Sequence, residues 1–156
     1  MLAVGVVIVA TACGEGERPC TPSSEGYGDA TSLVWTSLLE MERAEGPCRP
    51  RVELYATGAD LRRAADEVQI QDLPFVDFTR ERVVLREAPA ERGLTWVARR
   101  GDKVTIGTQA CAGNTPAGCG IHLYKVTTTE GATIDEHVCA PLQCAGVQSD
   151  PAGGGI

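Results

Sequence analysis

Apolar and polar residues alternate along much of the chain, and this pattern predicts more strands than helices. From Arg51 to Ala56, Val52 and Leu54 point to one side while charged or aromatic residues point to the other, which is typical of a half-buried strand. Ser32 to Glu42 fits a helix or a strand, and its short length favours a strand. Arg100-Gly101-Asp102 predicts a compact hairpin turn. Further strands, bounded by Gly, Asp, Asn or Pro, are predicted at Val83 to Leu85, Leu94 to Ala98, Val104 to Ala110, Gly120 to Thr128 and Thr133 to Cys139.

One helix is predicted directly after the second strand. Thr57 or Asp60 can cap its first turn, and Asp72-Leu73-Pro74 ends the segment because the residue before a proline avoids the helical region. Its buried stripe comes from apolar residues at helical spacing, namely Leu61, Ala64, Ala65 and Val68. The order of elements predicts an α+β fold, with a small, mainly antiparallel sheet and one covering helix.

The first residues of the chain predict export. Met1 to Ala12 is uncharged and apolar; as a helix it would span about 18 Å, less than the roughly 30 Å of a bilayer core. This length suits the apolar region of a signal peptide. The run Ala10-Thr11-Ala12-Cys13 resembles a bacterial lipobox, although Ala10 stands where leucine is usual. We therefore expect Cys13 to be lipidated, with ordinary secretory cleavage and a cytosolic protein with an apolar first strand as alternatives.

These patterns divide the chain into four parts. Residues 1–12 are predicted as a signal peptide, and residues 13–31 as the lipidated cysteine, with palmitate among its acyl groups, followed by a flexible tether rich in Gly, Ser, Pro and Glu. Residues 32–144 form the single domain, and residues 145–156 a disordered tail. The expected location is the cell envelope, with the lipid anchor in the outer membrane or at the cell surface; a periplasmic or secreted protein is the alternative.

Charge excludes one large class of function. The 156 residues carry a formal net charge of −7, from 21 acidic and 14 basic side chains. The arginines are scattered singly or in pairs, whereas nucleic-acid binding needs a concentrated basic face. We therefore expect no nucleic-acid partner.

Cysteine number agrees with export. Lipidation of Cys13 leaves an even set, which can form three disulfide bonds in an oxidising compartment: Cys20, Cys48, Cys111, Cys119, Cys139 and Cys144. Loop lengths suggest the pairs Cys111–Cys119, Cys139–Cys144 and Cys20–Cys48. A cross-pairing of Cys111 and Cys119 with Cys139 and Cys144 is equally compatible with the sequence. The domain is thus predicted to be stabilised by disulfides.

Two catalytic or metal-binding alternatives remain open. A zinc or copper site could use Cys111, Cys119, His122, His137, Cys139 and Cys144, although only Cys139 and Cys144 approach the usual ligand spacing. A small extracytoplasmic hydrolase would need His122 or His137, but the chain has no G-x-S-x-G or phosphate-loop motif. His122 is predicted to face solvent on a strand. The main expectation is a protein that is not an enzyme and needs no cofactor.

Residues 36–86 resemble the bacterial family of the PrcB C-terminal domain. The matching stretches are Arg51-Val52-Glu53-Leu54, Ala59-Asp60-Leu61, Leu73-Pro74-Phe75-Val76-Asp77-Phe78 and Arg82-Val83-Val84-Leu85. The resemblance implies this fold, an exported setting and a non-enzymatic partner of an extracytoplasmic protease. Within the motif, Asp77 is expected to accept backbone amides at a turn, and Phe75 and Phe78 are expected to anchor the core.

Together these observations predict an exported lipoprotein that binds an envelope protein or peptide, with a protease as one possible partner. Strand addition along an exposed sheet edge is the mechanism open to such a fold.

Overall fold

The computed structural model describes residues 19–43, 47–89, 92–112 and 118–143, and within them it confirms the α+β class. No helix among these residues is both long enough and apolar enough to cross a membrane. In chain order the elements are β1 (Thr31–Ser32), β2 (Trp35–Glu42), β3 (Arg51–Tyr55), α1 (Gly58–Glu67), β4 (Arg82–Pro89), β5 (Gly93–Arg100), β6 (Lys103–Gln109), β7 (Cys119–Val126) and β8 (Thr133–Val138).

The strands form two sheets of four strands each. Sheet I has the order β1-β5-β6-β8, and sheet II has the order β2-β7-β4-β3. Neighbouring strands are antiparallel, except β6 and β8, which are parallel because the strand between them in sequence, β7, belongs to the other sheet. The predicted hairpin turn is confirmed: Arg100 pairs with Lys103, and Gly101 has the positive φ of 61° that such a turn requires.

Sheet II lies between the helix and sheet I, so its central strands are buried on both faces. Along β4, Val83 and Leu85 pack with the helix, while Val84 packs against sheet I. Along β7, Leu123 faces the helix and Tyr124 faces sheet I. A strand covered on both faces needs no polar side, which explains the continuous apolar run of β4.

The helix begins where the sequence predicts, but it ends at Glu67, before the predicted end at Asp72-Leu73-Pro74. Thr57 is the N-cap, and its side chain accepts a hydrogen bond from the Asp60 amide at 3.2 Å. The helix stops well before Pro74 because Gln69 adopts a left-handed φ of 63°. The amide of Ile70 then donates to the Ala65 carbonyl at 2.9 Å, the hydrogen bond that closes a Schellman motif. The predicted apolar stripe of the helix is buried.

The folded domain extends into the predicted tether. Residues 19–30 pack on the outer face of sheet I, where the ring of Tyr27 lies 5.1 Å from that of Trp96. A disulfide joins Cys20 to Cys139 after the end of β8. The tether assignment is therefore wrong for these residues, because a covalent bond and an aromatic contact, neither visible as a periodic pattern, hold them to the sheet.

The segment between the helix and β4 confirms two expectations and corrects one. Asp77 accepts the Thr79 amide at 3.0 Å, and hydrogen bonds from the Thr79 side chain and backbone lower the pKa of Asp77. Phe78 packs against the core. Phe75, however, is 90% exposed, because Leu73 and Val76 take the core-facing positions of this segment along with Phe78.

Sheet I accommodates Trp96 only because glycine stands opposite it. Trp96 pairs with Gly107 across β5 and β6, and a Cβ atom at Gly107 would lie 2.0 Å from the indole ring. The buried indole, at 5% exposure, thus occupies space that a side chain at residue 107 would need.

Gly107→Ala is expected to lower the free energy of unfolding by about 1–3 kcal/mol, because the rigid ring must move. Gly93→Ala is the matched control, since Gly93 lies in β5 and a Cβ atom there would meet nothing within 4 Å. Urea unfolding of the two variants should show a loss at residue 107 and little change at residue 93. Equal effects would contradict this account of the packing.

Candidate functional site

A cleft opens between the sheets where the chain passes from β1 to β2. The amide of Leu33, just after β1, still donates to the Val97 carbonyl of sheet I at 2.9 Å. Two residues later, Trp35 pairs with Val126 of sheet II. Beyond this crossing, β2 follows sheet II while the start of β5, from Gly93, remains in sheet I. The edges of β2 and β5 therefore separate.

The cleft has aromatic, apolar and charged walls. One cavity of about 210 Å³ has residues of both sheets in its lining, including Trp35, Ser37, Glu40, Leu94, His122 and Tyr124. A second cavity of about 270 Å³ is lined by Glu40, Met41, Glu42, Gly120 and His122. Because Glu40 and His122 line both, the cavities are adjacent parts of one cleft. Each lies below the range of about 300–1,000 Å³ that is typical of small-molecule pockets.

His122 is buried in this cleft, which corrects its predicted solvent-facing position. The residue is 5% exposed, because sheet I covers the face of sheet II on which it lies. Its Nδ1 is 3.7 Å from Oε1 of Glu40, and its ring stacks on Tyr124 with centroids 5.9 Å apart. Burial lowers the pKa of His122; Glu40 opposes this shift and Arg86 adds to it. The imidazole is therefore neutral at neutral pH.

A buried ion pair next to His122 joins the two sheets. Arg86, which pairs with His122 in register, is fully buried. Its Nε and Nη2 donate to Oε1 of Glu136 at 3.1 and 2.9 Å, and its Nη1 donates to the Arg92 carbonyl at 3.0 Å. Thr108 Oγ1 lies 2.6 Å from the same Glu136 oxygen. The charge is thus paired and hydrogen-bonded, as a buried charge must be, and Arg92 is held at the cleft.

The cleft brings a serine, a histidine and a carboxylate together without assembling a triad. Catalysis of that kind depends on a hydrogen bond of about 2.6–3.2 Å between nucleophile and base. His122 Nε2 has no hydrogen-bond partner among the described residues, and Nδ1 faces Glu40 at 3.7 Å. Ser37 therefore shares the cleft with His122 but is not bonded to it.

The cysteines pair across the fold, and the pairings suggested by loop lengths are wrong. Cys20 is bonded to Cys139 and Cys48 to Cys119, over sequence separations of 119 and 71 residues. Neither Cys20–Cys48 nor Cys111–Cys119 forms, because sheet pairing brings together cysteines that are remote in sequence. Because Cys139 is bonded to Cys20, the suggested pair Cys139–Cys144 is excluded as well.

The remaining cysteines are only partly described. Cys111 is also disulfide-bonded, and its backbone is bridged to Leu142. Cys13 and Cys144 lie outside the described residues. Lipidation of Cys13 and the disulfide predicted for Cys144 therefore stay predictions.

Each of the two described disulfides lies beside a group of possible metal ligands. Glu25, His137 and Cys139 have ligand atoms within 4.8 Å of one another. His137 Nε2 is 2.7 Å from Oε2 of Glu25, so the two side chains are hydrogen-bonded. Of the metal ligands considered from the sequence, the structure brings His137 and Cys139 together and places His122 elsewhere, in the cleft.

The second group is already neutralised by arginines. Glu87, beside Cys48 and Cys119, is 2% exposed. It accepts a charged hydrogen bond from Arg43 Nη1 at 2.5 Å and lies 3.3 Å from Arg51 Nε. Two guanidinium groups repel a further cation, so this carboxylate is poorly suited to hold a metal ion.

Comparison of the chain with protein-family models, with curated proteins and with solved structures found no match. The resemblance to the PrcB C-terminal domain family therefore stays a prediction.

The strand pattern predicted a single sheet, so a cleft between two sheets was not expected from the sequence. A signal was present in β7: Ile121 and Leu123 on one face and Tyr124 and Val126 on the other are all apolar or aromatic, which indicates burial on both sides. Glu25 carried no such signal, because its contact with His137 spans 112 residues of sequence.

Proposed function

We propose that this protein is an exported, lipid-anchored lipoprotein of the bacterial cell envelope, in which a folded domain binds an extended peptide segment of another envelope protein. The apolar start of the chain and the lipobox-like run ending at Cys13 support export and anchoring. The disulfides Cys20–Cys139 and Cys48–Cys119 support an oxidising compartment.

The observation that carries the binding function is the exposed edge of β2 beside the cleft. β2 is the edge strand of sheet II, and its outer edge has no strand partner in the part of the chain that the structure describes. An extended peptide can form main-chain hydrogen bonds with such an edge, while pockets for alternate side chains select its sequence. The two cavities beside β2, of about 210 and 270 Å³, are smaller than typical small-molecule pockets and have room for single side chains.

The cleft also indicates which peptides fit. Trp35 and Leu94 offer an apolar surface in the first cavity, and Glu40 and Glu42 stand at the second. An apolar side chain and a basic side chain are therefore the expected anchors. The register shift at Leu38 forms a bulge in β2; bulges of this kind discourage indiscriminate strand pairing, so the partner segment is short.

The resemblance to the PrcB C-terminal domain family supports an extracytoplasmic protease as the protein that supplies this segment. The membrane is the second partner, reached through lipid at Cys13. In this proposal the protein itself is not an enzyme.

Intact mass spectrometry tests the anchor. We expect the chain produced in an export-competent bacterium to start at Cys13, to carry lipid, and to be lighter by six hydrogens than its reduced form, since six cysteines remain for three bonds. Cys13→Ser should lose the lipid and leave the membrane fraction. An unlipidated wild-type chain with free thiols would contradict both the anchor and the compartment.

Peptide selection tests the binding edge. A library of random dodecapeptides displayed on phage is selected on the immobilised protein, and enriched peptides are synthesised. Ser37→Trp, which fills the cleft, should weaken their binding by about tenfold or more, roughly the loss of one anchoring contact. In the complex, hydrogen exchange of the β2 amides should slow.

Thr36→Trp is the matched control, because Thr36 is the exposed neighbour of Ser37 in β2 and successive strand side chains point to opposite faces. Its binding should equal that of the wild type. Failure to enrich any peptide, or equal loss in both variants, would contradict strand addition at β2.

A further inference from the structure

The outer face of sheet I carries four potential metal ligands at one point. Cys20 and Cys139 are joined there as a disulfide, and His137 Nε2 is 2.7 Å from Oε2 of Glu25. The ligand atoms of Glu25, His137 and Cys139 lie within 4.8 Å of one another, and the Cys20 sulfur is bonded to that of Cys139. Two of the four residues come from the segment 19–30, and the other two lie at the end of β8 or just after it.

We propose that reduction of the Cys20–Cys139 disulfide converts this cluster into a binding site for a thiophilic divalent cation such as Zn²⁺. A dithiol reductant gives two electrons and two protons to the disulfide and is itself oxidised to a cyclic disulfide. The two cysteine thiols then release their protons to solvent, and the cation binds both sulfurs as thiolates. His137 Nε2 and a Glu25 oxygen complete a tetrahedral set.

The distances suit this coordination after small movements. Zinc binds sulfur at about 2.3 Å and nitrogen or oxygen at about 2.0–2.2 Å, so ligand atoms in a tetrahedral site lie about 3.3–3.8 Å apart. His137 Nε2 and Glu25 Oε2 must separate slightly from 2.7 Å to admit the ion. The sulfurs separate when their bond is reduced.

A hydrogen bond to the Cys20 sulfur favours its thiolate form. Trp96 Nε1 donates to Cys20 Sγ at 3.2 Å, whereas the Thr95 hydroxyl, 3.1 Å from the same sulfur, donates its hydrogen to the Gly107 carbonyl at 3.0 Å. Donors to a ligating atom stabilise its charged form and orient it. Cys139 is buried at 4% exposure, and the ring centroid of Tyr27 lies 5.4 Å from that of His137. The side chains of His137 and Glu25 are 29% and 23% exposed, so a cation can reach the site from their side.

The second disulfide provides an internal comparison. Cys48 and Cys119 have Glu87 nearby, but this carboxylate is held by Arg43 and Arg51, and the cluster contains no histidine. Reduction there yields two thiols beside two cations. We therefore expect the reduced Cys20 and Cys139 to bind the cation, and the reduced Cys48 and Cys119 not to bind it.

The consequence is that a bound cation can replace the disulfide as the cross-link between residues 19–30 and sheet I. In the oxidised protein a covalent bond holds residues 19–30 to sheet I; in the reduced protein the cation joins the same two elements through four ligands. The segment that leads toward Cys13 thus stays attached to the domain in both redox states. This inference does not depend on the peptide-binding function proposed above.

Cobalt(II) titration tests the site. The full chain is reduced with dithiothreitol, freed of it under anaerobic conditions, and titrated with Co²⁺, whose thiolate charge-transfer absorption reports sulfur ligands. We expect one Co²⁺ per chain, displaced by Zn²⁺, and no such absorption for the oxidised chain. His137→Ala should weaken binding by about tenfold or more, and Glu25→Gln should weaken it in the same direction.

Two controls separate the site from free thiols and from misfolding. The double variant Cys48→Ser/Cys119→Ser keeps the proposed ligands, so its reduced form should retain the absorption. His137→Ala keeps every cysteine, so circular dichroism of its oxidised form checks the fold. A reduced wild-type chain without the absorption, or binding that His137→Ala leaves unchanged, would overturn the proposal.

Discussion

The relation between the two sheets depends on the ion pair of Arg86 and Glu136. Arg86 extends from β4 into the space between the sheets, fully buried, and meets Glu136 of β8 with two nitrogens. A guanidinium in such a place is tolerated only when every donor is satisfied, because removal of one partner leaves an uncompensated charge. The pair therefore restricts sheets I and II to arrangements in which β4 and β8 face each other at this point.

The cleft follows from that restriction. The chain crosses from β1 to β2 on one side of the sandwich, and Arg86 also holds the Arg92 carbonyl just before β5. With the start of β5 fixed in this way and β2 paired to β7, the two edges cannot close on each other. His122 therefore lies beside the paired Arg86, buried and neutral. One side of its ring lines the cavities that we assign to peptide side chains.

Local features of the fold were predictable from the sequence, and long-range features were not. The helix cap, the helix stripe, the turn at Gly101 and the turn at Asp77 depend on neighbouring residues. The stripe and both turns were predicted correctly, and Thr57 is one of the two caps that the sequence offered, the other being Asp60. The disulfide partners, the docking of Tyr27 and the burial of His122 depend on which strands share a sheet. Alternation in a single strand shows that it has two faces, but it does not show what covers each face, so a second sheet was missed.

A double-mutant cycle on Arg86 and Glu136 tests the central claim most directly. Glu136→Met should lower the free energy of unfolding by about 3–5 kcal/mol, because it leaves Arg86 buried without its partner. Adding Arg86→Met should recover most of this loss, since an apolar pair of similar volume needs no hydrogen bonds. If the two substitutions are instead additive in urea unfolding, Arg86 does not depend on Glu136 as its partner, and the pair does not restrict how the sheets pack.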